Sequence, residues 1–193
     1  ERMIDKLASN YSPKAKVVDI SKINFGPCIG CMKCSYDNTC VYEGKNDEFN
    51  DFYRKEIIDN TDILIIAGTI VDRYFSSLWK KFFDRCYFLN HTPKLKGKQI
   101  GFLVSGPLQQ LPFLMEIMRT WPEFQEANYL GYVTDEREIN NEIEIELQQL
   151  ARKSIDYAVR EYKTPPMFHA VSTQKIFRDD VYSRLRFVCQ ADH

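Results

Sequence analysis

Apolar residues along this chain fall into two kinds of run, and the two kinds alternate. Met3, Ile4 and Leu7 in the opening ERMIDKLASN share one face at helical spacing. Lys16–Ile20 is a short apolar segment of strand length. Phe49, Phe52, Tyr53, Ile57 and Ile58 return to helical spacing and predict a helix over Asp47–Asn60. Asp62–Thr69 (DILIIAGT) is apolar throughout, which predicts a strand buried on both faces of a parallel sheet. Ser76–Leu89 then reads as an amphipathic helix that turns Leu78, Trp79, Phe82, Phe83 and Cys86 inward.

Lys98–Ser105 (KQIGFLVS) is a second continuous strand, entered through a turn at Leu95-Lys96-Gly97. Pro107–Trp121 predicts a helix that Pro112 either starts or breaks. Asn128–Thr134 is a further strand, and Glu136–Tyr162 a long charged helix ended by Pro165-Pro166. Residues 164–193 form an arm with one helix, Arg178–Val188, and residues 1–163 the domain that carries it.

Strands alternating with helices imply an α/β fold of parallel βαβ units with right-handed crossovers. Ligands of such sheets bind beyond the carboxyl ends of the strands. The segments after Ile20, Ala67 and Ser105 all reach that rim, and the first of them carries most of the chain's cysteines.

Composition narrows the picture. A hydrophobic fraction of 44% over 193 residues suits one domain with a real core. A net charge of −1 with no basic stripe argues against nucleic acid as a partner. Apolar runs such as Ile63–Ala67 are far short of a bilayer span, and no signal peptide is visible, so a cytoplasmic location is expected.

Four of the six cysteines, Cys28, Cys31, Cys34 and Cys40, crowd into a loop at residues 27–41 with the spacing C-x2-C-x2-C-x5-C. A chain this long needs no disulfide staples, so clustering points to metal, cluster or redox chemistry. Thiolates repeated every three residues on a tight loop can converge on the corners of one compact centre. Gly30 removes a side chain where the backbone must pass closely. Bacterial ferredoxins use a similar C-x2-C-x2-C run. A single [4Fe–4S] cluster on all four thiols is the favoured reading. Zinc is a rival, although structural zinc usually joins two separated knuckles, and bare thiols or a disulfide are another.

Other residues invite blander readings. Asp84-Arg85 reads as an ion pair at a helix end, His91 as a solvated cation following that helix, and His169 as packing beside Phe168. Cys86 faces the core and is inert; Cys189 is assigned no role. The acidic run Glu136–Glu146 is a solvated helix face.

Together PCIGCMKC…C, the helix after it, DILIIAGTIV and SSLWKKFFDR resemble the flavodoxin-like NAD(P)H-dependent FMN reductase superfamily, and the cysteine spacing resembles its iron–sulfur flavoprotein branch. The resemblance runs over Lys16–Thr134. It implies a doubly wound, parallel five-stranded sheet whose first strand, with its FMN phosphate loop, is missing from the chain as given. The chain is thus expected to be partial at its start, and to stop abruptly at its end, and no phosphate-binding residue can be named.

The resemblance also implies FMN bound by the loop Gly68, Thr69, Ile70, Val71, Asp72, Arg73 and Tyr74, and by Ser105 and Gly106. Thr69 and Val71 stand where the family carries proline and tyrosine, and Arg73 where glycine is common, so an aromatic lid falls to Tyr74 or Phe75. Ser76 would cap the following helix with its hydroxyl. The implied function is an FMN oxidoreductase passing electrons between FMN and a [4Fe–4S] cluster, linked to NAD(P)H or ferredoxin, in a homodimer or homotetramer with a redox partner or small-molecule acceptor. Two alternatives stand beside it. One is an NAD(P)H-dependent FMN or quinone reductase without a cluster. The other is a non-enzymatic zinc- or cluster-binding electron-transfer module.

Overall fold

The two continuous apolar runs become neighbouring parallel strands, and the rest of the chain is arranged around them. The structure, a computed structural model, describes residues 1–11, 14–89, 92–136 and 140–192. Helix α1 (Arg2–Ser9) opens the chain. A four-residue helix, α2 (Cys34–Asp37), lies inside the cysteine loop. The predicted helix over Asp47–Asn60 forms as α3 (Phe49–Asp51), which continues as a wider π-helical stretch through Phe52–Asp59.

Strand β1 (Ile63–Val71) and the two-residue β2 (Tyr74–Phe75) follow. Helix α4 (Ser77–Arg85), strand β3 (Gln99–Ser105), helix α5 (Pro112–Phe124), strand β4 (Asn128–Thr134) and helix α6 (Asn140–Val159) complete the α/β unit. Helix α7 (Phe168–Ile176) belongs to the arm.

The sheet order is β2-β1-β3-β4. β1 pairs β3 in parallel from Ile63↔Gln99 to Thr69↔Ser105, and β3 pairs β4 in parallel from Gln99↔Asn128 to Val104↔Thr134. Among the described strands only β2 is antiparallel. On one face Ile66, Ile100, Phe102 and Val104 meet Phe49, Tyr53 and Ile57 of the 49–59 helix, Phe82 of α4, and Leu114 and Met118 of α5. On the other face Leu103, Leu130 and Val133 meet Leu7 of α1 and Leu147, Leu150 and Ala151 of α6. Helices on both faces of an open sheet make this a flavodoxin-like α/β fold.

Three expectations change here. Lys16–Ile20 does not form a strand: its described backbone joins no ladder, and Val17 is 63% exposed. A five-residue apolar segment becomes a strand only against a partner that supplies N–H and C=O groups. Among the described residues the sheet therefore holds three parallel strands and a short antiparallel one, four strands in all, as in a five-stranded sheet that lacks one member. β1 is also not buried on both faces, since Ile66 alone is fully buried within it. Finally, the arm helix sits at Phe168–Ile176 and runs on through Phe177–Val181, earlier than Arg178–Val188, because Phe177 packs against Phe124 of α5.

Pro112 starts α5 at its first turn, where a missing N–H costs nothing. His91 lies outside the described residues, as do residues 137–139 of the predicted acidic helix. No helix among the described residues is long and apolar enough to cross a membrane.

Candidate functional site

The cysteine loop turns by passing through the left-handed region at three positions, two of them held by Gly and Asn, which enter it readily. Gly30 (φ 65°), Met32 (φ 58°) and Asn38 (φ 55°) all have positive φ, and together they coil residues 28–40 into a compact turn. Asp37 stiffens it, accepting from the Thr39 amide at 2.9 Å, the Thr39 hydroxyl at 2.6 Å and Lys33 Nζ at 2.5 Å. The Lys33 and Thr39 bonds hold the Asp37 carboxyl down at about 2.

As a result Cys28, Cys31, Cys34 and Cys40 all line one hollow, with Tyr42, Arg85, Tyr87 and Phe88 among its other walls. All four are free thiols; Cys28 and Cys31 are exposed, Cys34 and Cys40 half-buried. Burial, and the nearby sulfurs of Cys40, Cys28 and Cys31, push the Cys34 thiol up to about 11. Among the described residues no three Cys, His, Asp or Glu side chains close on a site for a single ion.

Arg85, on one wall of the hollow, belongs to a buried ion pair. Asp47 and Arg85 side chains are 4% and 1% exposed. Arg85 donates from Nη1 to Asp47 Oδ2 at 2.7 Å and to the Gly26 carbonyl at 2.9 Å, and from Nη2 to Asp47 Oδ1 at 2.8 Å and Asn50 Oδ1 at 3.2 Å. Its guanidinium lies over the rings of Tyr42 (4.5 Å) and Phe49 (5.0 Å). Asp47 also accepts from the amides of Gly26 and Phe49. Burial raises its pKa, but the bonds from Arg85 and the amides outweigh that and hold it below the ordinary carboxylate value. The expected Asp84–Arg85 pair is therefore corrected: Asp84 pairs with Lys80, one helical turn back, while Arg85 turns inward.

The arm returns to the same place. Asn38 Nδ2 donates to the Ala191 carbonyl at 3.1 Å, and the turn Gln190–Asp192 packs on α2. Cys189, assigned no role, is buried beside Phe177 and Val181. Cys86 is fully buried near Tyr53, and burial pushes its thiol far up, as an inert core residue should be.

The predicted flavin loop folds as a hairpin. Val71↔Tyr74 closes it, and Asp72 (φ 50°) and Arg73 (φ 67°) are its two turn residues. Both at positive φ is the geometry of a tight two-residue turn that matches strand twist. Thr69, Val71, Asp72 and Arg73 are exposed, while Gly68, Ile70 and Tyr74 are half-buried. Phe75 is not a free lid: it is 2% exposed and stacks on Phe102 at 6.4 Å, which leaves Tyr74. Ser76 caps α4 through its backbone carbonyl, which takes the Trp79 and Lys80 amides, with no side-chain cap bond. Trp79 is a packing residue whose Nε1 donates to the Ala67 carbonyl at 2.9 Å.

Ser105 and Gly106 lie beside this hairpin, because Thr69 pairs with Ser105 and the Gly106 backbone abuts Ile70. Both already have a partner that the sequence reading missed. Asp135, just past β4, accepts from the Ser105 hydroxyl at 2.5 Å and the Gly106 amide at 2.9 Å. Glu136 similarly takes the Gln109 amide. The hairpin and the thiol hollow adjoin opposite ends of α4, a helix of about 13 Å at ~1.5 Å per residue, so the cysteine segment does not share the rim of the segments after Ala67 and Ser105 as expected, because Lys16–Ile20 forms no strand to carry it there.

No family model matches the chain. It is 24% identical over 182 residues to the iron–sulfur flavoprotein of Archaeoglobus fulgidus, covering 90% of this chain and 80% of that one. An iron–sulfur flavoprotein of Clostridioides difficile is 24% identical over 185 residues, covering 89% of this chain and 73% of the other. The chain is similar to iron–sulfur flavoproteins. Of the residues that matter, Asp47 left a faint mark in the sequence, a short acid just before a helix. Nothing linear links it to Arg85, 38 positions later.

Proposed function

We propose that this chain is an iron–sulfur flavoprotein: an FMN-dependent oxidoreductase in which Cys28, Cys31, Cys34 and Cys40 hold a [4Fe–4S] cluster. One observation carries the reading. Four thiols from one loop, spaced C-x2-C-x2-C-x5-C, line a single hollow. A run of this kind on one loop resembles that of cluster-binding ferredoxins, whereas structural zinc usually joins two separated knuckles. The names of the two relatives, which match most of this chain, support a flavin together with an iron–sulfur group.

FMN handles electron pairs and can release them singly, and an iron–sulfur cluster takes them one at a time. This chain's residues bind and position. The hairpin Gly68–Tyr74 offers exposed backbone at the carboxyl rim of the sheet, where flavin binding fits the fold. Ser105 and Gly106 extend that rim, with Asp135 fixing their hydroxyl and amide. Tyr74 supplies the aromatic edge. NAD(P)H or a ferredoxin would be the electron source, and a homodimer or homotetramer the working unit.

Purification without oxygen tests this. Expected are flavin absorption bands with a broad shoulder at longer wavelength, and about four irons with matching sulfide per chain. Replacing any one of the four cysteines by serine should remove most of that iron and leave flavin in place. Flavin without iron would point to a reductase lacking a cluster, and a colourless zinc protein would overturn the proposal altogether.

A further inference from the structure

The wall of the thiol hollow holds one polar group that the fold itself does not use. Arg85 is among the largest fully buried side chains, and both of its terminal nitrogens are saturated by Asp47, Asn50 and the Gly26 carbonyl. Its Nε–H is buried and has no hydrogen-bond partner among the described residues. Leaving a charged group's donor unmatched in the interior costs stability, and this donor belongs to a residue that lines the hollow beside Cys34 and Cys40. Asp47, the counter-charge, does not line the hollow. The ion pair thus turns its positive end toward the sulfurs and its negative end away.

We propose that Arg85 is the electrostatic tuning residue of the sulfur-ligated centre: its cation and its unmatched Nε–H stabilise the negative charge gathered there and raise the centre's reduction potential, while Asp47 behind it limits the rise. This rests on the cluster reading above. One electron added to the centre, supplied by dithionite in a titration, makes it more negative by one unit, and no proton moves. A fixed cation beside it favours that reduced state. Asp47 opposes the effect, so the two residues of one ion pair should act with opposite sign. A purely structural ion pair has no such property, since removing either partner would disturb the fold in the same sense.

The test is a redox titration of the anaerobically purified, full-length chain and its variants, followed by electron paramagnetic resonance, with iron and sulfide measured on each sample. Arg85→Gln should lower the midpoint by at least a tenfold change in the one-electron equilibrium, about 59 mV. Asp47→Asn, close to the same shape, should raise it. Arg85→Lys keeps the charge without the fork, and its midpoint should lie between wild type and Arg85→Gln. If Arg85→Gln does not fold, Asp47→Asn and Arg85→Lys carry the test. Iron-replete variants with unmoved midpoints, or both single variants shifting the same way, overturn the role of Arg85 and leave the cluster reading standing. A wild-type chain with no iron or sulfide overturns both.

Discussion

β1 and β3 look alike as sequence and end up in different environments. Each is a run of apolar residues with no polar alternation, ILIIAGTIV and QIGFLVS. β3 lies between β1 and β4 and is buried at every position but Ser105. β1 has β3 on one side but only two residues of β2 on the other, and among its nine residues Ile66 alone is fully buried. Composition marks a strand as suited to a sheet interior, but its neighbours determine how much of it leaves water. The contrast also has a functional side. The half-open strand ends in the exposed hairpin at 68–74, and the closed one in a loop whose groups Asp135 has already engaged.

The strongest challenge to this contrast is a deletion in β3. Phe102 is fully buried between Phe75 and Tyr129, so Phe102→Ala should cost about 3–5 kcal/mol by urea denaturation. A loss below about 1 kcal/mol would mean that β3 is not the closed strand.

Next come the glycines. A Cβ on Gly68 would lie 2.8 Å from Phe75 Cδ1 and 2.9 Å from Trp79 Nε1, whereas one on Gly101 would meet only the flexible tips of Ile65 and Leu150 at 3.1 and 3.2 Å. Gly68→Ala should therefore cost about 1–3 kcal/mol and alter Trp79 fluorescence, and Gly101→Ala should cost less. Equal costs, or unchanged fluorescence, would show that α4 is not seated tightly on β1.

Ile65→Ala in the half-open strand should cost about 2 kcal/mol, less than Phe102→Ala, because it removes three carbons worth ~0.8 kcal/mol each when buried and part of that side chain is already in water. A loss matching that of Phe102→Ala would erase the difference between the strands.

The mildest effect is on pH. The folded Asp47 carboxyl has a depressed pKa, so its stabilising contribution is full above the ordinary carboxylate value, about 3.9, and falls as pH drops through the lower folded value. Stability should stay flat with respect to this group from neutral pH to about 5 and decline below 4. Asp47→Asn should flatten part of that decline.

The strands at 63–71, 99–105 and 128–134 and the helices around them were legible because burial imposes a period that the chain must carry. The thiol hollow was legible for a different reason: its four cysteines are close in sequence, and Gly30 announces the turn between them. Lys16–Ile20 was misread because apolar composition cannot report whether a pairing edge exists. Phe75 was misread as a possible lid because alternation along β2 alone does not say which face meets Phe102.

By itself, then, the sequence determined the α/β alternation, the identity of the main strands and the grouping of four thiols, since each depends on residues within a few positions of one another. The tertiary structure alone decided that β1 stays half-open, that Asp135 holds Ser105 and Gly106, and that Arg85 abandons Asp84 for Asp47. Those outcomes depend on contacts across about 30 to 40 positions of chain, where competing partners differ by small energies and only the assembled core fixes which pair meets.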